Sequence, residues 1–325
     1  MDVALTSGFI QTVLGPIAPL SLGRTDAHEH LFLRTPALPG EEFDDVDLMV
    51  EELANVRRSG IETVVDLTPI GLGRAPSKQR EVARRSGVNV VAATGYHRDA
   101  HYPAGHWIYR ETDEVLLDVI LKDLQVGMDE RDWQGPMPRL GEGKAGIIKL
   151  GASYQRITGS EGRRIEVGSV AARRTGAPVA VHCEVGTVAD DILDLFVRCG
   201  VSPDRVLLAH MDRNADPALH AELAGRGAYL LYDTVGRVKY RPESALVDLV
   251  DQVVRRGHGD RILLGTDVGR RSMLRASGGG PGMDVLGGSF LPRLRNRIGD
   301  EAVDAIVRTN AARALTINPN EEQHG

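Results

Sequence analysis

From residue 22 onward, short apolar runs alternate with longer amphipathic stretches. Eight runs read as strands: 22–28, 61–68, 88–95, 145–151, 177–183, 204–210, 228–233 and 261–267. Most carry Val, Ile or Leu on consecutive positions, the pattern of strands buried on both faces. Between them, residues 47–60, 77–87, 158–176, 187–200 and 243–257 show helical periodicity. In the first of these, Leu48, Leu53 and Val56 form one stripe and Gly60 supplies a stop signal. Strand–helix alternation implies a parallel sheet. Eight such units, with further helices over 284–298 and 300–316, predict an α/β fold of the (β/α)8 TIM-barrel class, closed by C-terminal helices. An open doubly wound sheet is the rival, and no G-x-G-x-x-G follows the first strand to support it. Ahead of the barrel, 9–14 and 17–22 read as an N-terminal β-hairpin turning at Gly15 and Pro16. No composition break divides the chain, so residues 1–325 read as a single barrel domain. The Gly-rich segment 277–288 follows the eighth strand and reads as a loop over a site.

Composition narrows the function classes. Hydrophobic residues make up 42% and charged residues 26% of the 325, which fits a globular protein and excludes disorder and coiled coil. Lys+Arg is 39 against Asp+Glu 45, so the net charge of −6 offers no basic excess for nucleic acid or a membrane surface. The uncharged stretch from Val3 to Gly23 is broken by Gly8, Gly15, Pro16 and Pro19, so it predicts no membrane helix. Asp2 and the lack of a basic leader argue against a signal peptide. Cys183 and Cys199 form no C-x-x-C pair, so neither a disulfide framework nor a Cys-rich zinc site is expected. A reducing, cytoplasmic location is the expectation.

Barrel enzymes place their chemistry at the C-terminal strand ends. The first strand ends in His28-Glu29-His30, and strand alternation lets both imidazoles face one metal. The fourth strand carries Lys149, the fifth ends at His182, the sixth at His210 and the eighth at Asp267. Lys149 is one of five lysines and lies inside an apolar run. A buried ammonium beside divalent cations is very unfavourable. Either the side chain snorkels out of the barrel, or the neutral amine combines with CO2 to give a carbamate that two metals share. The second alternative predicts a binuclear site. His28, His30 and Asp267 would hold one ion, His182 and His210 the other, and carboxylated Lys149 with a hydroxide would bridge them. Imidazole and carboxylate without thiolate suits Zn2+, with Mn2+ or Co2+ as other options. Such a pair activates water for hydrolysis, and Asp267 would pass its proton to the leaving group.

At these residues the sequence resembles the phosphotriesterase-like branch of the amidohydrolase superfamily. The resemblance runs through residues 10–17 and 25–31, then Gly146–Lys149, Val181-His182, Ala209-His210 and Gly265–Asp267, in the family's order. It implies the barrel, two divalent metals and the carboxylated lysine. Loops 210–214, 236–240 and 267–271 look most like the phosphofuranose lactonase branch. That likeness assigns Arg213, Lys239 and Arg270 to a substrate phosphate, with Tyr96 as a further substrate contact. Barrels often hold phosphate after their seventh and eighth strands. Salt bridges from Arg213 and Arg270 to Asp212 or Glu222 are the alternative. The expected activity is hydrolysis of a small phosphorylated sugar lactone, a small-molecule anionic substrate. Hydrolysis of another ester, an amide or a phosphotriester is the alternative, and a homodimer is a family-level expectation. His97, His101 and His106 stand in a loop that could line the substrate pocket, with simple solvation as the expectation; Cys183 reads as core, and His220, His258 and His324 as surface.

Overall fold

The computed structural model describes residues 8–135 and 137–318. Strands β1 (Ile10–Thr12) and β2 (Gly15–Ile17) pair antiparallel. Eight parallel strands follow: β3 (Thr25–Glu29), β4 (Thr63–Asp66), β5 (Asn89–Gly95), β6 (Ile147–Ala152), β7 (Val179–Cys183), β8 (Val206–Ala209), β9 (Tyr229–Tyr232) and β10 (Ile262–Leu264). They are hydrogen-bonded in chain order from β3 to β10. Across the remaining seam the Asp267 N–H donates to the His28 carbonyl at 2.9 Å, leaving a nearly closed barrel. Gly265 permits this approach, because a Cβ there would lie 2.9 Å from the His28 backbone nitrogen. The open doubly wound sheet is thereby excluded.

Helices α1 (Val46–Arg58), α2 (Pro76–Ser86), α3 (Asp113–Gln125), α4 (Gly159–Thr175), α5 (Ala189–Arg198), α6 (Pro217–Gly225) and α7 (Glu243–Arg255) lie between the strands. The start of α4 shows why a helix begins there. Thr158 Oγ1 accepts from the Glu161 N–H at 3.2 Å, and Glu161 Oε2 accepts from the Thr158 N–H at 3.0 Å. Two apolar cores result. One packs helices against strands, with Ile148, Leu150, Val181 and Leu208. The other joins inward strand residues such as Ile147, Ala180 and Leu207 to Ile10 of the hairpin and to Ala311 and Leu315 of the last helix. Among the described residues no helix is long and apolar enough to cross a membrane.

Three local expectations change. The hairpin turns at Val13-Leu14, because Gly15 and Pro16 pair with Thr12 and Gln11. The Thr12 hydroxyl holds that turn, donating to the Gly15 carbonyl at 2.7 Å and accepting from the Leu14 N–H at 3.3 Å. Helix α1 buries Met49 with Leu53 and Val56, while Leu48 is half-buried. His220 is fully buried, with Nδ1 2.7 Å from the Tyr232 hydroxyl, so it is a core residue. His324 lies outside the described residues.

Candidate metal centre

The C-terminal strand ends surround a cavity of about 300 Å3. His28, His30, His182, His210, Asp267, Arg213 and Arg270 line it. His210 and Asp267 adopt left-handed backbone conformations, with φ of 64° and 48°. Each such conformation costs a non-glycine residue roughly 1–2 kcal/mol. Strain of this kind concentrates at functional sites.

Every one of the four imidazoles is anchored through one nitrogen. His28 Nδ1 and His210 Nδ1 each lie 2.7 Å from an oxygen of Asp233. His30 Nδ1 lies 2.9 Å from the Thr68 hydroxyl, and His182 Nε2 lies 2.5 Å from Glu184 Oε2. Ionised carboxylates only accept, so in His28, His182 and His210 the anchored nitrogen carries the proton. The other nitrogen of each ring presents a lone pair. His182 Nδ1 and His210 Nε2 therefore face one another at 2.8 Å with no proton between them. That contact is repulsive unless a cation sits against both. His28 Nε2 and His30 Nε2 lie 3.5 and 3.2 Å from Asp267 Oδ1.

Electrostatics agree. Burial, aided by the neighbouring His210, pushes His182 well below the usual imidazole range. Burial and then Lys149 lower His28 to about 3, and burial and then Arg213 lower His210. These rings are neutral at pH 7, the ligating form. Burial alone would raise Asp233, but His210 and His28 outweigh it and hold this carboxyl well below its ordinary range. Burial would likewise raise Asp267, and Arg237 together with His28, His30 and His210 outweighs it. Asp267 Oδ2 is 2.7 Å from Arg213 Nη2 and is also held by Arg237 Nη1. Arg213 is thus committed to Asp267, and not to Asp212 or Glu222.

Lys149 is fully buried and its Nζ has no hydrogen-bond partner among the described residues. Ile148 and Leu150 face the helices and Ile147 faces the interior, so alternation turns Lys149 inward. Outward snorkelling is excluded. Burial lowers its pKa to about 8, which leaves a share of neutral amine at pH 7. An orphaned amine, inward imidazole lone pairs and a carboxylate without thiolate fit divalent ions of the zinc type. The outer hydrogen bonds are those that fix metal-binding histidines. His28, His210 and Asp233 also converge, but Asp233 meets the two Nδ1 atoms at hydrogen-bond distance and so orients the rings.

Two expected substrate residues stand elsewhere. Tyr96 is fully buried in the helix-facing core, and its hydroxyl donates to the Leu116 carbonyl at 2.9 Å. The likeness to the lactonase branch suggested the site, but the ring packs edge-on against Trp107, with centroids 6.1 Å apart. Lys239 is exposed outside the cavity lining, with Nζ 5.0 Å from the Tyr240 ring centroid. Conversely, His97, Arg98, His101, Glu184 and Arg237 line the cavity, although sequence reasoning left them out or treated them as solvated. A visible signal was Asp233, a carboxylate ending an apolar strand.

The model of the phosphotriesterase family matches residues 8–315. A phospho-furanose lactonase of Mycoplasmopsis synoviae (strain 53) is 31% identical over 326 residues, covering 95% of this chain and 92% of that protein. The solved structure of an amidohydrolase from Mycoplasma synoviae superposes with a TM-score of 0.93 at 30% identity, covering 97% of this chain and 93% of that one. A lactonase from Listeria monocytogenes superposes with a TM-score of 0.87 at 26% identity, covering 95% of this chain and 99% of that one. A barrel whose strand ends gather anchored imidazoles around a buried lysine is what these relatives share a fold with, and the chain belongs to the phosphotriesterase family, as a metal-dependent hydrolase.

Proposed function

We propose that this chain is a two-metal lactonase that opens a small phosphorylated sugar lactone. The observation that carries the reading is that His28, His182 and His210 are anchored by carboxylates through one nitrogen, which leaves a lone pair on the other, with those of His182 and His210 face to face. In this reading His28, His30 and Asp267 would hold one ion and His182 and His210 the other. Addition of the neutral Lys149 amine to CO2, with loss of one proton, would give a carbamate and so supply a further anionic ligand to the site. Zn2+ fits this donor set, and Mn2+ or Co2+ would also suit it. When bound, the ions would lower the pKa of a water and polarise the lactone carbonyl.

The chain's own groups do the rest. Asp233, Thr68 and Glu184 fix the imidazole orientations. Arg213 and Arg237 orient the Asp267 carboxylate. Asp267 accepts the proton of the attacking water and returns it to the departing ring oxygen, so the ring ester C–O bond breaks and a hydroxy acid forms. Four arginines, Arg98, Arg213, Arg237 and Arg270, line the cavity against two carboxylates, Glu184 and Asp267. This local surplus in a net-acidic protein supports an anionic substrate. Arg270 is the least committed of them, 36% exposed and 3.8 Å from Glu41.

Arg270→Ala is expected to lower kcat/KM on an aldonolactone 5-phosphate about 10–100-fold, the loss of one charge-assisted contact. The non-phosphorylated lactone should be hydrolysed equally by both enzymes. Steady-state assays on the pair test this, and equal losses on both lactones would remove the phosphate role.

A further inference from the structure

The loop after β5 stands four places from the loop after β9 in the ring of eight strands, so the two face each other across the cavity. The β9 side carries Arg237, with Arg213 and Arg270 in the loops after the flanking β8 and β10. We infer that the β5 side, with Glu184 from the end of β7, forms a subsite for ring hydroxyl groups, in which His97 is the specificity-determining donor. This rests on the lactonase reading and names what that substrate must carry.

His97 is held through its backbone, its Nδ1 and a neighbouring ring. Its backbone N–H donates to the Tyr102 hydroxyl at 2.8 Å, and that hydroxyl donates to the Ile70 carbonyl at 2.8 Å. Its Nδ1 accepts from the Arg98 N–H at 2.8 Å. The proton of the neutral ring therefore sits on Nε2, and Nε2 has no partner among the described residues. The ring stacks on His101, with centroids 3.9 Å apart, and lies 4.7 Å from the His182 centroid. It is 5% exposed, and it lines the cavity. Close packing against β6 fixes the loop: a Cβ on Gly151 would lie 2.8 Å from the Arg98 nitrogen and 3.2 Å from His97 Nδ1.

The acceptor stands nearby. Glu184 Oε2 is taken by His182 Nε2 and by Arg98 Nη2, the latter at 3.0 Å. Glu184 Oε1 has no partner among the described residues. A rigid N–H donor, a free carboxylate oxygen and a guanidinium on one wall complement hydroxyl groups, which both donate and accept. A lactone without ring hydroxyls leaves these groups without the paired donor and acceptor that a hydroxyl supplies. A polyhydroxylated ring satisfies them while its phosphate reaches the arginines opposite.

The test compares a five-membered lactone 5-phosphate bearing both ring hydroxyls with its dideoxy counterpart bearing the same phosphate. The wild type should prefer the hydroxylated lactone about 10–100-fold in kcat/KM, as expected for hydrogen bonds in a partly closed site. His97→Phe should bring that ratio close to one by slowing the hydroxylated substrate alone, with bound metal unchanged. His97→Gln, which keeps an amide N–H, should retain more of the preference. A wild-type ratio near one, or equal losses on both lactones in His97→Phe, overturns the subsite. Should neither lactone turn over, calorimetric binding of the same pair decides. Tighter binding of the hydroxylated one, lost in His97→Phe, upholds the subsite while the lactonase reading falls. Equal binding overturns the subsite.

Discussion

Replacing Lys149 with methionine is expected to remove at least about 10³-fold of kcat/KM, since several kcal/mol of charge stabilisation depend on the metal centre and each 1.36 kcal/mol is tenfold in rate. The same substitution should leave the metal-free fold intact or raise its stability by about 1–3 kcal/mol. The reason is that Nζ is fully buried without a hydrogen-bond partner among the described residues. Removing an unsatisfied buried polar group and keeping the volume relieves a desolvation cost. The two effects have opposite signs, which separates this account from a structural role for the lysine. Thermal unfolding of the chelated proteins, alongside lactonase assays with added Zn2+ and bicarbonate, checks both. A destabilised Lys149→Met protein that keeps its activity would contradict the assignment.

Asp233→Asn is expected to weaken metal binding about 10–100-fold. Asp233 uses one oxygen for each of two imidazoles, His28 and His210, at 2.7 Å, and also accepts the His210 backbone N–H at 3.1 Å. An amide keeps one acceptor oxygen and turns an N–H2 toward the other ring. One imidazole must then change tautomer or rotate, and its lone pair no longer points inward. Competition against a chelator of known affinity measures the change. Activity should recover in part at high Zn2+, because the ligands themselves remain. Unchanged metal affinity would show that Asp233 does not position them.

The strands are legible in the sequence because a buried parallel sheet needs consecutive apolar residues, as in Ile147-Ile148 and Leu207-Leu208. His28, His30, His182, His210 and Asp267 are legible because barrel chemistry stands at strand ends, and all of them line one cavity. Lys149 is legible because lysine is scarce and rarely sits in an apolar strand. The supporting residues are another matter. Asp233 is an ordinary strand-terminating acid until folding brings His28, 205 positions away, to its side. Glu184 and Arg98 meet only once the barrel has brought the ends of β5 and β7 to one cavity. Tyr96 illustrates the opposite failure: the family resemblance suggests the pocket, whereas its ring and hydroxyl are used up by α3 and the core. His220 looks polar and exposed in the sequence, but the Tyr232 hydroxyl gives it a partner deep in the packing of α6. In each case the deciding fact is a long-range neighbour, which local patterning does not contain.

The central claim is that the inward lone pairs and the orphaned amine together hold a pair of divalent ions. Elemental analysis by plasma emission, on protein exchanged into Zn2+ and bicarbonate and freed of excess metal, addresses it directly. Two ions per chain is the predicted result. One ion per chain or fewer would contradict the account.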